Sequence, residues 1–199
     1  MEITAKMVKE LRDKTNAGMM DCKQALAESG GDLDKAIDHL RQKGLLTARK
    51  RAGRATLEGV VHSYIHAGSK LGVMVEVNCE TDFVARNEAF EDFAHNVAMH
   101  IAAASPICVD KDGLPAELLE KERQIYRAQA LEMGKPEQVV DKIVDGRIKK
   151  FYSEVCLLDQ PYVKDPDLTI QDLLNGLIAT IGENINIRRF VRFQLGEEV

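Results

Sequence analysis

The sequence predicts an α+β fold, in which an N-terminal bundle of three helices precedes a core of antiparallel three-stranded sheet covered by helices. Apolar residues recur at helical spacing through residues 1–44, and the spacing changes to two from Leu57 onward. Alternation returns in the tail, from Ile185, after a long stretch of helical spacing. A strand formed by the tail can join the earlier strands only over a long sequence separation.

Residues that start and stop helices delimit the N-terminal bundle. Thr4 can cap a first helix that Asn16-Ala17-Gly18 ends, and Gly30-Gly31 stops a second helix. Asp32 caps a third helix, for which Gly44 is the expected C-terminal stop. Three short helices joined by tight turns form a small core, which gains stability when it binds something.

Three segments are expected: a helical module over residues 1–45, a basic linker over 46–56 and an α+β core over 57–199. The linker has basic residues but no interleaved aromatic residue that could stack on bases. A solvated tether, or a surface facing an acidic partner, is therefore favoured over RNA binding. The basic residues are Arg49, Lys50, Arg51 and Arg54.

Alternating patterns predict a hairpin around a turn at residues 67–70, and a third strand in the tail. Each strand is expected to bury one face through alternate residues. The residues expected to share a face are Val61, Ser63 and Ile65 in the first strand, Val73, Val75, Val77 and Cys79 in the second, and Ile185, Ile187, Arg189, Val191, Phe193 and Leu195 in the tail.

Helical spacing predicts further helices between the hairpin and the tail. Asn87 can cap the first of them, and a loop is expected over residues 160–166. The predicted helices cover residues 88–104, 115–133, 136–157 and 169–181.

Composition and charge disfavour several classes of function. The formal net charge of −5 opposes general binding to nucleic acid or membrane, because phosphate surfaces are repelled on average. No run approaches the about 18 apolar residues of a membrane-spanning helix, and the N-terminus lacks the apolar block of a signal peptide. We therefore expect a cytoplasmic protein without direct nucleic-acid or membrane contacts, whose four cysteines are free thiols packed as small hydrophobic residues.

The sequence carries no recognisable catalytic motif. Neither G-x-S-x-G, nor G-x-G-x-x-G, nor a phosphate-binding G-x-x-x-x-G-K-[ST] pattern occurs. His62 and His66 lie four residues apart and could ligate a metal, but no third ligand is evident, so partly exposed strand histidines are favoured. We expect neither an enzyme nor a bound metal or cofactor.

One segment, Glu76–Asn87, passes from a strand into a helix within a few residues. Thr81 and Asp82 can hold the turn through hydrogen bonds from side chain to backbone. Phe83 is a large apolar ring in this short polar connection. Its residue type favours a ring that folds back into the core, and a ring presented to a partner is the alternative.

Two long segments carry a resemblance to a known family. Residues 11–26, LRDKTNAGMMDCKQAL, are similar to the first signature of the elongation factor Ts family, and residues 76–86, EVNCETDFVAR, resemble the second. Residues 134–136, 146–151 and 160–163 resemble later landmarks of the family core, so the resemblance covers nearly the whole chain. Many members look longer, with two core lobes and an inserted coiled-coil hairpin, and this chain resembles the short bacterial form.

The resemblance implies a guanine-nucleotide exchange factor for the translation GTPase elongation factor Tu, acting without covalent chemistry. It implies that one segment disturbs the partner's magnesium and nucleotide site, and that the N-terminal module docks on the partner. The implied exchange segment is Thr81, Asp82, Phe83 and Val84, and the implied docking residues are Leu11, Arg12, Met19, Met20 and His66. For the two methionines, packing within the turn stays an alternative.

A homodimer is expected, because two copies would supply the two core lobes of longer members, and two-fold dimers are the commonest soluble assembly. Strands 71–79 and 185–195 are the candidate contact surface, since edge strands invite pairing or cover. A rival interpretation is an adapter, a small ubiquitin-associated-like bundle that recruits another protein without exchange activity. A further rival is RNA binding through Arg49–Arg54.

Overall fold

The predicted α+β architecture is confirmed. The computed structural model describes residues 3–15 and 17–197 of the 199-residue chain. In chain order the elements are α1 (Ala5–Thr15), α2 (Met19–Glu28), α3 (Leu33–Arg51), β1 (Glu58–Ile65), β2 (Leu71–Cys79), α4 (Asp82–Ala85), α5 (Glu88–Ala104), α6 (Ala116–Glu132), α7 (Glu137–Val155), β3 (Pro161–Tyr162), β4 (Asp165–Thr169), α8 (Ile170–Ile181) and β5 (Ile185–Gln194).

The N-terminal bundle forms as its caps predict. The hydroxyl of Thr4 accepts from the backbone N–H of Met7 at 3.3 Å, and the carboxylate of Asp32 accepts from that of Lys35 at 3.1 Å. α1 ends at Thr15, while the predicted breaker Asn16 lies outside the described residues. The bundle core is made by Val8, Leu11, Cys22, Ala25, Leu26 and Ala36.

The prediction that the third helix stops at Gly44 is wrong, because α3 continues to Arg51. Gly44 is buried against α8, where an added Cβ would lie 3.5 Å from the carbonyl oxygen of Asn175. The glycine therefore lies in the contact between α3 and α8, where a Cβ would make an ordinary van der Waals contact, and it does not end the helix. The first part of the expected linker is the end of α3, whose cations suit the negative end of the helix dipole.

The core is a sheet of order β1-β2-β5, antiparallel throughout, with β2 in the centre. The predicted hairpin and the long-range tail strand are both confirmed. α5 packs across β1 and β2, and α8 packs on β5, α5 and α3. The residues of β2 that face these helices are fully buried, as predicted: Val73, Val75, Val77 and Cys79.

The uniform alternation predicted for the tail is wrong, because β5 contains a bulge. Val77 pairs with Ile187 whereas the adjacent Glu76 pairs with Arg189, so Arg188 is an extra residue. An extra residue moves every later side chain to the opposite face. Phe190 consequently packs against the core, and the expected inward residues Val191, Phe193 and Leu195 are exposed.

The expected set on β1 also lies on the outer face of the sheet. Val61 is 62% exposed and Ile65 is 63% exposed, whereas Val60 and Tyr64 pack against the core. The alternation located the strand correctly, but two apolar residues face away from the helices. One face of the sheet is therefore open and partly apolar.

Two helices form an arm outside the sheet layer. α6 and α7 pack on each other, around Ala130, Val140 and Ile148. The loop expected over residues 160–166 contains a short hairpin of β3 and β4, which corrects that prediction. Within residues 3–15 and 17–197, no helix is both long and apolar enough to cross a membrane.

A buried polar network ties α5 to the chain that follows α7. His100 is fully buried, and its Nδ1 accepts from the backbone N–H of Val163 at 3.3 Å. Its Nε2 must then carry the proton that it donates to Gln160 Oε1 at 2.9 Å. The amide nitrogen of Gln160 donates to the carbonyl of Glu154 at 2.7 Å. Burial lowers the pKa of His100, so the neutral imidazole is the form that fits.

We predict that His100 makes folding sensitive to acid. Its pKa is depressed in the folded state, so its contribution is present above the ordinary histidine pKa of about 6.5 and is lost as the pH falls below that value. Urea unfolding should show a smaller loss of stability between about pH 7.5 and 5.5 in His100→Gln than in wild type. At pH 7.5 the variant should be about 1–3 kcal/mol less stable. The control is His66→Gln, at an exposed position, which should keep the wild-type dependence of stability on pH. A His100→Gln variant that loses as much stability as wild type between these pH values would contradict the prediction.

Candidate functional site

The candidate exchange segment is the turn between β2 and α5, and it presents Phe83. Phe83 is the second residue of α4 and its side chain is 82% exposed. The ring therefore does not fold back into the core, and that preferred sequence-based interpretation is wrong. Val84 packs against the sheet core and Ala85 is buried, so the same short helix is anchored on one side. The arrangement offers an aromatic ring on an anchored mount.

The predicted way of holding this turn is also wrong. The hydroxyl of Thr81 donates to Glu183 at 2.7 Å, although Thr81 occupies the cap position of α4. Asp82 accepts from the guanidinium of Arg86, at 3.0 Å, and makes no backbone contact within its own turn among the hydrogen bonds of the described residues. Local sequence could not show the Thr81 contact, because Glu183 lies more than a hundred positions further along the chain.

Glu183 also accepts from the backbone N–H groups of Glu80 and Thr81, both at 3.1 Å. In return, the carboxylate of Glu80 accepts from the backbone N–H of Asn184 at 2.6 Å. This hydrogen bond, with a further one from Arg54, lowers the pKa of Glu80. The two segments 80–81 and 183–184 thus hold each other reciprocally, and together form what we call the clasp.

Arg54 belongs to the expected basic linker, and its contacts are within the protein. Its guanidinium lies 3.3 Å from Glu80, and its carbonyl accepts from the side chain of Asn184 at 2.8 Å. Arg49, Lys50 and Arg51 occupy the last turn of α3. Arg54 thus has partners within the protein, and the other three basic residues lie at the negative end of the α3 dipole.

The four cysteines are free and buried, as expected. Burial raises the pKa of Cys79, next to the exchange segment, to about 11, and that of Cys156 to about 12. The thiol of Cys79 donates to the carbonyl of Thr81 at 3.1 Å. Such protonated thiols pack and hydrogen-bond, and they offer no thiolate nucleophile.

The implied docking residues divide into exposed and buried groups. Met20 is 75% exposed and Met19 is 58% exposed at the start of α2, so neither packs into the turn. Arg12 is exposed on α1. Leu11 is fully buried in the bundle core, so it supports α1 from behind and is no contact surface, which corrects that expectation.

Histidines gather beside β1, but not in the pair that the sequence suggested. His62 faces α5, where its Nε2 lies 3.2 Å from Nδ1 of His95, and burial lowers its pKa. His66 is exposed at the hairpin turn and contacts the hydroxyl of Tyr64 at 3.0 Å. Over the described part of the chain, no group of three or more potential ligands could hold a metal ion.

An open cleft of ≈ 1090 Å³ lies between the N-terminal bundle and the core. Arg12 and Gly18 line it from the bundle, and Asp92 and Asn96 line it from α5. Some of the candidate docking residues therefore border a groove that both parts of the protein share.

Comparisons with known proteins agree over nearly the whole chain. Residues 1–197 match the family model described as elongation factor TS. The chain is 64% identical to the elongation factor Ts of Desulfosudis oleivorans over 98% of both chains. It is 63% identical to that of Nitratidesulfovibrio vulgaris, over 100% of this chain and 99% of the relative. It is 61% identical to that of Geobacter sulfurreducens, over 99% of this chain and 91% of the relative.

We predict stability effects of very different size for two residues of the bundle. Leu11→Ala should destabilise the bundle by about 2–5 kcal/mol, because it leaves a cavity in a core without spare contacts. Met20→Ala should change stability by less than about 0.5 kcal/mol, because the side chain is exposed. Chemical denaturation followed by circular dichroism measures both. A large loss for Met20→Ala would show that the methionine packs within the bundle.

Proposed function

Because the chain belongs to the elongation factor Ts family, we propose that it is a guanine-nucleotide exchange factor for elongation factor Tu, acting in the cytoplasm without chemistry of its own. The observation that carries the proposal is Phe83, an aromatic ring that is 82% exposed on an anchored turn. Single exposed apolar residues are common on protein surfaces, so the weight of this observation comes from the position of Phe83 within residues 76–86, which resemble a family signature, and from the anchored turn that presents the ring.

In the proposed mechanism, the chain displaces part of its partner and changes no covalent bond. Magnesium bridges the phosphate oxygens of the bound nucleotide and requires near-ideal octahedral geometry. An apolar wedge inserted by Phe83 would shift a partner helix by about 1–2 Å, the size of known interface helix shifts, and this breaks that geometry. Asp82, beside the ring, would compete for hydrogen bonds near the site. GDP then dissociates because its magnesium-linked contacts are weakened.

The N-terminal module, residues 1–45, is proposed to dock first. Arg12, Met19 and Met20 provide its exposed contacts, and flexible methionines suit a surface that adapts to its partner. His66 provides a further contact from the core. In this scheme the bundle supplies binding affinity for the partner. The exchange segment, which belongs to the core of residues 57–199, accelerates the release of GDP.

We propose that the protein is a homodimer joined through the open face of its sheet. Cross-strand neighbours share a face, so Met74 and Val191 lie together, as do Ile65 and Phe193 on either side of Gly72. Exposed fractions on this face are 62% for Val61, 63% for Ile65, 49% for Met74, 42% for Val191 and 69% for Phe193.

This face is partly apolar and supplies part of an interface. Three strands of about eight residues give roughly 400 Å² in outline, about half of the area that each partner buries in a standard interface, so helices of the core beside the sheet would supply the rest. Glu76 lies 2.7 Å from Arg189 on the same face, so its charge is already paired. Stacking two such sheets about 10 Å apart would cover the apolar residues of both copies. β2 is the central strand, so it can contribute side chains but no backbone edge, which corrects the expected role of strand 71–79.

The wedge is tested by the rate of GDP release from elongation factor Tu. We predict that the wild-type chain accelerates release, and that Asp82→Ala combined with Phe83→Ala reduces the acceleration at least tenfold, or about 1.4 kcal/mol of barrier, without loss of fold. Ile107→Ala is the matched control, since Ile107 is another apolar residue, 53% exposed, outside the exchange segment. A double variant as active as wild type contradicts the mechanism. A wild-type chain that binds without accelerating release favours the adapter.

The dimer is tested by light scattering at micromolar concentration. We predict a mass of twice 22.2 kDa for the wild type. Phe193→Glu should shift the protein towards the monomer, because it places an unpaired charge among the apolar residues that the second copy would cover. Val163→Glu is the control, since Val163 is 44% exposed outside the sheet face. A monomeric wild type that retains full exchange activity would refute the proposal.

A further inference from the structure

We propose that Glu183 is the positioning residue of the exchange segment, and that it sets the rate of exchange by holding Phe83 in the presenting orientation. The proposal rests on the proposed function and adds to it a residue outside both signature segments. It starts from the clasp, in which one carboxylate joins segments that are far apart in the chain.

The carboxylate of Glu183 takes three hydrogen bonds from the exchange segment. Its Oε2 accepts from the backbone N–H groups of Glu80 and Thr81, each at 3.1 Å, and its Oε1 accepts from the Thr81 hydroxyl at 2.7 Å. Both backbone groups lie between the end of β2 and the start of α4. Hydrogen bonds to an ionised acceptor are stronger than neutral ones, so this contact fixes the direction in which α4 leaves the sheet.

The position of Glu183 is itself fixed by two local features. Gly182 ends α8 in the left-handed conformation, φ 82°, and its N–H donates to Ile178 at 2.8 Å. Asn184 then donates from its backbone to Glu80 at 2.6 Å. The chain is thus held directly before and directly after Glu183, so its carboxylate has little freedom to move away.

On the other side of Phe83 the turn is held by contacts of its own. Asp82 and Arg86 form an ion pair at 3.0 Å, and the N–H of Asn87 donates to Val84 at 2.9 Å. The hydrogen bond from Asn87 to Val84 lies C-terminal to Phe83, whereas the ion pair between Asp82 and Arg86 spans Phe83. The Glu183 contacts, with the hydrogen bond from Asn184 to Glu80, join the N-terminal side of the turn to the tail of the core. Without the Glu183 contacts, α4 would keep its own hydrogen bonds and the packing of Val84 and Ala85, but the chain that enters α4 would be held less tightly and Phe83 would be less well oriented.

Orientation matters for a wedge because a loosely held ring must be ordered before it can displace a partner element. Docking through the bundle does not require a fixed Phe83 ring, whereas displacement of the partner element does. Loss of Glu183 should therefore lower the maximal rate of GDP release and leave the concentration for half-maximal rate nearly unchanged. A residue that only stabilised the fold would not produce this split.

The test measures GDP release from elongation factor Tu at increasing concentrations of the full-length chain. Glu183→Ala should lower the maximal rate about tenfold and change the half-saturating concentration less than about twofold. Glu183→Gln should be intermediate, because its amide oxygen can still accept hydrogen bonds. Glu117→Ala, which removes an exposed carboxylate on α6, should match wild type.

A double-mutant cycle makes the result decisive. If Glu183 acts through the wedge, Glu183→Ala should cause no further loss in the Asp82→Ala, Phe83→Ala background, because coupled residues are not additive. Full additivity, or an active Glu183→Ala with wild-type rates, overturns the role of Glu183 while the proposed function stands. A wild-type chain that fails to accelerate release overturns the proposed function, and the role of Glu183 with it.

Discussion

The pairing of β5 with β2 is the constraint on which the rest of the core depends. It brings residues 185–194 against residues 71–79, which are separated in the chain by five helices. The same pairing closes the sheet over α5 and α8 and places Glu183 and Asn184 beside Glu80 and Thr81. The proposed exchange segment is local in sequence, but residues from the opposite end of the core support it.

In this arrangement a buried base carries an exposed aromatic side chain. The residues beneath the turn, such as Cys79 and Ala85, are buried, while Phe83 projects from them. An exchange factor supplies no energy, so it must bind the nucleotide-free partner more tightly than the nucleotide-bound one. By linkage it then weakens nucleotide binding by the same factor. The proposed wedge would serve this purpose if it is held in place beforehand, because less of its binding energy would then be spent on ordering itself.

Much of the fold could be predicted from the sequence, because caps and periodic patterns act locally. Thr4, Asp32 and Asn87 cap helices as expected, and Thr169 does the same for α8. Two errors have a common cause, since each depended on tertiary packing. Gly44 lies in the contact between α3 and α8. The bulge at Arg188 belongs to the pairing of β5 with β2, which lies far away in the sequence.

For the candidate site, the sequence indicated which residues to consider but not how the structure presents them. The signature residues indicated which turn to propose as the exchange segment, yet residue type favoured a buried Phe83, because nothing local shows that Val84 and Ala85 already fill the space below. The resemblance implied that Leu11 is a docking residue, whereas Leu11 lies on the buried face of α1. Glu183 had no sequence signal, because its partners lie about a hundred positions away.

The most direct test of the central claim, exchange by differential binding, is a calorimetric titration. The full-length chain is titrated into elongation factor Tu in its nucleotide-free form and in its GDP-saturated form, and GDP affinity is measured with and without the chain. Tighter binding to the nucleotide-free form, by the same factor by which the chain weakens GDP binding, is the predicted result. Equal affinity for the two forms would contradict the claim, because such a protein cannot shift the nucleotide equilibrium.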